Sequence, residues 1–173
     1  MGLPFMPVHG VHGTDYERVR KDFLKVTDPY SGREIFVVPS ITPDICILHA
    51  ILSDPLGNLV IPGSEANRLA ALSARTTIAS VERIVDEKDL VARMGQTFLS
   101  ALHVDLVVHR PLGAHPTSCP GTYPVDGDHV KLYVDRAKSE EKFHGYLATY
   151  VFGMSEEEYA AGVAELFFEN ALP

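Results

Sequence analysis

Two loops in this 173-residue chain gather residue types that can do chemistry. The first is Val8-His9-Gly10-Val11-His12-Gly13-Thr14-Asp15. Two histidines three apart with a carboxylate nearby are metal-ligand types. The glycines would let backbone N–H groups approach a phosphate or carbonyl. A pattern this short favours the plainer reading, a tight bend whose histidines cap or face solvent. The second loop is Arg110-Pro-Leu-Gly-Ala-His-Pro-Thr-Ser-Cys-Pro-Gly121. It follows a strand-like stretch, residues 104–109, and open α/β sheets bind ligands beyond the C-terminal ends of their strands. His115 and Cys119 invite a base and a nucleophile, but a thiol needs its base beside it in space, which adjacency in sequence does not provide. The loop reads instead as a pocket wall, stiffened by Pro111, Pro116 and Pro120, with His115 and Ser118 as hydrogen-bonding groups. His49 closes a buried apolar run and is a further candidate by the same strand-end argument. The remaining histidines at 103, 109, 129 and 144 read as structural.

The elements that must position these loops follow from periodicity and turn chemistry. Residues 1–34 read as irregular, punctuated by Pro4, Pro7, Gly10, Gly13, Pro29 and Gly32, with one helical turn around 16–24. Short β-branched runs at 35–38, 44–50 and 58–61 follow, separated by Pro39, Pro43 and the Asp54-Pro-Leu-Gly57 turn. Residues 45–48 are apolar at every position, as in a strand covered on both faces. Ser64 is the expected cap of a helix to about residue 74, followed by a strand at 76–85, a short helix at 86–93 with Asp86 as cap, and a strand at 104–109. This order predicts an α/β fold, an open and mostly parallel sheet with flanking helices. Two helices close the chain. One has Ser139 as N-cap, a stripe of Phe143, Tyr146, Leu147, Tyr150 and Val151, and Gly153 as a left-handed end. The other opens with a Ser155/Glu158 capping box, and Tyr159, Val163, Leu166 and Phe167 share a face. A single domain over residues 1–173 is the default at this length, and an opening without an anchoring strand or helix predicts a missing N-terminal segment.

Composition excludes several classes of function. A formal charge of −8 with 15 scattered basic residues argues against nucleic acid as a partner. Nothing approaches the roughly 20 apolar residues of a membrane helix, so no membrane partner is expected. Cys46 and Cys119 form no disulfide framework, and with no secretory signal at the start they point to the cytoplasm. The sequence contains no GxGxxG, Walker loop, CxxC, GxSxG or HExxH pattern, which removes the common nucleotide, zinc and hydrolase readings.

Several segments, in order along the whole chain, resemble the alpha-type subunit of family I coenzyme A transferases of the glutaconate type. They are Gly2-Leu-Pro-Phe-Met-Pro-Val with Gly13-Thr-Asp, Val38-Pro, Pro43-Asp44, His49-Ala50, Asp54 with Gly57-Asn58, Val81-Glu-Arg-Ile-Val85, Val104-Asp-Leu-Val-Val, Gly113-Ala-His-Pro-Thr-Ser-Cys119 and the 150–153 ending. The Gly113 block is the most specific. The resemblance implies transfer of coenzyme A between carboxylic acids at an interface with a beta-type subunit. That partner supplies a glutamate, which attacks the acyl-CoA carbonyl and forms covalent intermediates. Acyl-CoA and carboxylic acid are then the substrates, coenzyme A is a substrate and not a cofactor, and no metal is expected. The substrate-binding groups it implies are Gly13, Thr14, His49, Gly113, His115 and Ser118, with no catalytic residue on this chain. Glu17, Glu34, Glu65 and Glu82 lack a matching glycine-flanked context and read as surface charges or caps. Three other readings remain: an acyl-CoA hydrolase or decarboxylase subunit on the same scaffold, a non-catalytic structural or binding subunit, and a metal-dependent hydrolase on His9, His12, Asp15 and His115.

Overall fold

A computed structural model describes residues 3–63, 65–91 and 97–168. The chain divides into two compact units, one up to Pro43 and one from Asp44 onward. No helix among the described residues is long and apolar enough to cross a membrane.

The first unit is more regular than its prolines and glycines indicate. Strands β1 (Phe5–Val8), β2 (Leu24–Thr27) and β3 (Glu34–Pro39) form an antiparallel sheet in the order β1-β3-β2, and helix α1 (Asp15–Val19) lies between the first two strands in sequence. Pro7 is tolerated because β1 is an edge strand, where a missing N–H breaks no inner ladder. The β2–β3 turn is built by Asp28, whose carboxylate accepts the N–H groups of Tyr30 and Ser31, with Gly32 at φ 70°.

The second unit holds a five-stranded sheet in the order β7-β5-β4-β6-β8, comprising β4 (Ile45–Ser53), β5 (Leu59–Ile61), β6 (Thr76–Ile84), β7 (Thr97–Leu99) and β8 (Leu106–His109). The pairs β4·β6 and β6·β8 are parallel, whereas β4·β5 and β5·β7 are antiparallel. The sheet is therefore open and mixed: its two parallel pairings adjoin two antiparallel ones. The antiparallel half arises because the Asp54–Gly57 turn sends the chain straight back. The Asp54 carboxylate accepts the N–H groups of Leu56 and Asn58, and Gly57 takes φ 93°.

Helix α2 (Glu65–Ser73) packs on β4, above a cluster containing Ala50, Leu59, Ala71, Ala79 and Val81. Its expected cap, Ser64, lies outside the described residues, as do positions 92 and 93 of the next expected helix, α3 (Glu87–Val91). A second cluster gathers Ile51, Leu112, Cys119, Tyr123 and Val163. The expectation that 45–48 is covered on both faces fails: Ile45 is 57% and Ile47 76% exposed. Burial on that face begins at His49, where the segment after β8 comes up against it at Gly113, and is complete at Ile51.

Three helices, not two, end the described chain: α4 (Gly127–Arg136), α5 (Glu140–Tyr150) and α6 (Glu156–Phe168). Asp126 caps α4 by accepting from His129 N at 2.9 Å, and Ser139 caps α5. The Ser155/Glu158 box forms in both directions, at 3.1 and 2.7 Å. Gly153 is not left-handed. It is required because a Cβ there would stand 2.1 Å from the Ala148 carbonyl oxygen, as the chain folds back on α5.

Candidate active site

Strand β6 carries Ser80 and Glu82 on one face, and β4, in parallel register, sets His49 beside Ser80. Glu82 is 4% exposed and accepts from three donors: His49 Nε2 at 2.6 Å, Tyr123 Oη at 2.8 Å and Leu112 N at 2.9 Å. Burial raises its pKa, but these hydrogen bonds together outweigh burial and hold it below the ordinary value. Glu82 is thus a buried anion and not the surface charge its type suggested. An anion inside a sheet is retained only when its lone pairs are filled. His49 Nδ1 reaches Ser80 Oγ at 2.8 Å, which completes a Ser80–His49–Glu82 chain. Burial and the neighbouring Glu82 charge hold the Tyr123 phenol protonated, so it donates.

The segment after β8 wraps this anion. Arg110 N continues the ladder to Val81 O at 2.8 Å. Leu112 then adopts φ 59°, a left-handed conformation that costs a non-glycine residue about 1–2 kcal/mol. The reason is visible: Leu112 delivers its N–H to Glu82 and its side chain to the core. Gly113 has room for no Cβ, which would meet Arg110 O at 2.9 Å and His49 Cε1 at 3.0 Å. Cys119 is fully buried, and its thiol is pushed up by burial, eased by a Thr122 hydrogen bond and raised again by the Glu82 charge. That is the unreactive form of a cysteine.

A second network stands on the same segment. The His115 side chain is completely buried, with Nδ1 2.6 Å from Tyr159 Oη and Nε2 3.2 Å from Asp126 Oδ2. His129 Nε2 reaches Tyr146 Oη at 2.9 Å. The His129 backbone N–H is the main cause holding Asp126 below its usual range; burial opposes it and His115 assists. Burial lowers the His129 pKa, aided by His115, and raises those of Tyr146 and Tyr159. A cavity of about 340 Å³ opens beside these groups, lined among others by Arg110, His115, Tyr146, Tyr150, Met154 and Tyr159. Arg110 Nη1 pairs with Glu156 Oε2 at 2.6 Å.

Of the residues singled out from sequence, His49 and Gly113 touch one another, and His115 lies on the cavity wall behind Tyr159. Ser118 is exposed on the loop. Gly13 and Thr14 belong to the first unit, where Gly13 N donates to Glu17 and Thr14 Oγ1 to Val11 O. Among the described residues the groups close enough to share an ion are His49/Glu82/Cys119 and His115/Asp126/His129, and neither includes His9, His12 or Asp15. Sequence reasoning missed Glu82, Tyr123, Asp126 and Tyr159. Glu82 left one signal, a lone carboxylate inside an otherwise strand-like run.

Residues 1–97 match the family model described as coenzyme A transferase. A 3-oxoadipate CoA-transferase subunit from Pseudomonas knackmussii is 32% identical over 166 residues, covering 95% of this chain and 58% of that protein. The IpdA subunit of a cholesterol ring-cleaving hydrolase from Rhodococcus jostii is 32% identical over 179 residues, covering 98% of this chain and 60% of the relative. In three dimensions the chain is similar to glutaconate coenzyme A-transferase from Acidaminococcus fermentans, with a TM-score of 0.78 at 27% identity over 94% of this chain and 56% of that one. The chain spans a little over half the length of each of these relatives. With the family match covering more than half of its residues, and with its fold and its relatives in agreement, this chain belongs to the coenzyme A transferase family.

Proposed function

We propose that the chain is part of the alpha-type subunit of an enzyme that moves coenzyme A between carboxylic acids, working with a beta-type partner that supplies the nucleophilic glutamate. The observation that carries this reading is how the carboxylate on the cavity wall, Glu156, and the two that hold its lining residues from behind, Asp126 and Glu82, are used. Glu156 is paired with Arg110, Asp126 with His115 and the His129 N–H, and Glu82 is filled by three donors. Glu82 and Asp126 are largely buried with their oxygens hydrogen-bonded, and Glu156 is tied to the Arg110 cation, which makes each a poor nucleophile, so the attacking group is best supplied from outside the chain. The cavity beside the 110–119 loop then takes the acyl or pantetheine end of the CoA ester. His49 and Gly113 fix the loop, and Arg110 is available to the oxyanion formed on attack. Free cysteines at 46 and 119 fit a reducing, cytoplasmic setting.

The test is to co-purify the chain with a beta-type partner and follow exchange between a panel of acyl-CoA thioesters and acetate. The complex is expected to exchange, with mass spectrometry finding the covalent CoA adduct on a glutamate of the partner, and the chain alone is expected to give no transfer. A complex inactive across the panel, or transfer by the isolated chain, would sink the reading.

A further inference from the structure

We infer that Tyr159, His115 and Asp126 form a proton relay that lets this cavity hydrolyse an acyl-CoA with water, an activity separate from exchange. The inference rests on the reading that the cavity receives an acyl-CoA. Asp126 is an acceptor only, and its Oδ2 stands 3.2 Å from His115 Nε2, so Nε2 carries the proton. In the neutral ring Nδ1 is then the acceptor, and it takes the single proton of the Tyr159 hydroxyl at 2.6 Å. Tyr159 thereby presents an oxygen lone pair toward the cavity it lines, backed by an imidazole and a carboxylate in series. The order is that of a hydroxyl–histidine–carboxylate triad, with tyrosine in the hydroxyl position.

Exchange gives such a relay nothing to do. Attack by a partner carboxylate expels a thiolate that later attacks in turn, and no proton needs to move. Water attack is different, because water must lose a proton as its oxygen bonds to carbon. The water proton passes to Tyr159 Oη while the tyrosine proton passes to His115 Nδ1, and Asp126 holds the resulting imidazolium. The carbonyl oxygen takes the negative charge beside Arg110, whose guanidinium carries five N–H donors, one of them used by Glu156. On collapse the C–S bond breaks, and the proton returns from His115 through Tyr159 to the thiolate. The products are a carboxylic acid and free coenzyme A. Among the described residues the other rings facing His115 are His129 at 5.1 Å and Phe167 at 6.0 Å.

The experiment follows thiol release from acetyl-, butyryl- and glutaryl-CoA by the complex with its beta-type partner, in parallel with exchange, in H2O and D2O, with and without a chelator. The wild type is expected to release thiol with a normal solvent isotope effect, insensitive to chelation. Tyr159→Phe, which keeps the ring in place, is expected to lower kcat for hydrolysis by about 100- to 10,000-fold with KM within about threefold, the range of general acid–base contributions. Asp126→Asn and His115→Gln are expected to lower kcat and change the isotope effect, which a purely structural role would not do. Exchange without thiol release would overturn the relay and leave the transferase reading standing, while loss of both activities would overturn the reading itself. Undiminished hydrolysis in Tyr159→Phe overturns the relay. Loss on chelation does so in favour of an ion held by His115, Asp126 and His129.

Discussion

The two histidine networks have the same parts in different settings. Each sets a carboxylate on one ring nitrogen and a hydroxyl on the other: Glu82 and Ser80 around His49, Asp126 and Tyr159 around His115. The first is assembled from neighbouring strands and closed by Leu112 and Tyr123, so its anion sees donors and no solvent. The second joins a loop to the ends of two helices, and its outer hydroxyl borders a cavity. A histidine–carboxylate pair is thus defined by what lies beyond it. Donors on every side make a staple that ties the 110–123 segment to the sheet; an open side makes a group that can exchange protons with a ligand.

Removing the closed network's anion should have the largest effect. Glu82→Ala leaves His49 Nε2–H, Tyr123 O–H and Leu112 N–H without their acceptor, and is expected to cost about 3–5 kcal/mol in chemical denaturation. Its pH dependence follows from the lowered pKa. The Glu82 contribution is fully present above the ordinary value of 4.5 and is lost as pH falls through the lower folded-state value. In Glu82→Gln, whose side chain does not titrate, the loss of stability below pH 4.5 should therefore be shallower than in the wild type. An unchanged acid limb would show that Glu82 is not the buried anion described.

Gly113→Ala is next. Its Cβ would press on Arg110 O and His49 Cε1, so the loop or the histidine must shift, at about 1–3 kcal/mol. Thermal unfolding measures this, and a neutral result would mean that the loop has room it does not show. The equivalent lesion in the open network should be milder: Asp126→Ala removes a helix cap and the His115 partner near a cavity water can enter. It is expected to cost about 0.5–2 kcal/mol, less than Glu82→Ala on the same denaturation scale. Equal costs would erase the distinction between the two networks.

The parts of this comparison were unequally legible in the sequence. Runs at 44–50 and 76–85 announced strands that the structure places at Ile45–Ser53 and Thr76–Ile84, and the last two helices announced themselves through their caps, because these signals are local. His49 was singled out as a strand end, but β4 runs on to Ser53, so His49 sits in mid-strand and reaches Ser80 and Glu82 across the parallel pair with β6. Strand β3 was read at 35–38, but β1 and β2 were hidden because strands of four residues, the first of them broken by Pro7, carry little periodicity. Glu82 was misread because glutamate is usually exposed, and only its three partners, one of them 41 residues away, make burial tolerable. Tyr159 was assigned to an apolar stripe because its hydroxyl partner is 44 residues distant. Apolar faces repeat along the chain, but a polar network is a set of long-range coincidences that composition does not carry.

The smallest expected effect concerns Cys119, which lies within ligand distance of His49 and Glu82 and so belongs to the closed network. Burial and the Glu82 charge both keep its thiol protonated, and the thiol form neither attacks a thioester nor accepts a proton. Cys119→Ser should leave kcat/KM of the assembled enzyme within about twofold, since a catalytic nucleophile would account for several kcal/mol of barrier and a wall residue for little. Alkylation provides a second reading on the same molecule. In the native state iodoacetamide should modify the partly exposed Cys46 before the fully buried Cys119, which should react only on unfolding. If Cys119→Ser abolished turnover while melting temperature and assembly were intact, the thiol would be part of the chemistry. The closed network would then have to open during the reaction, and the line drawn between staple and proton relay would fail at the site where it is sharpest.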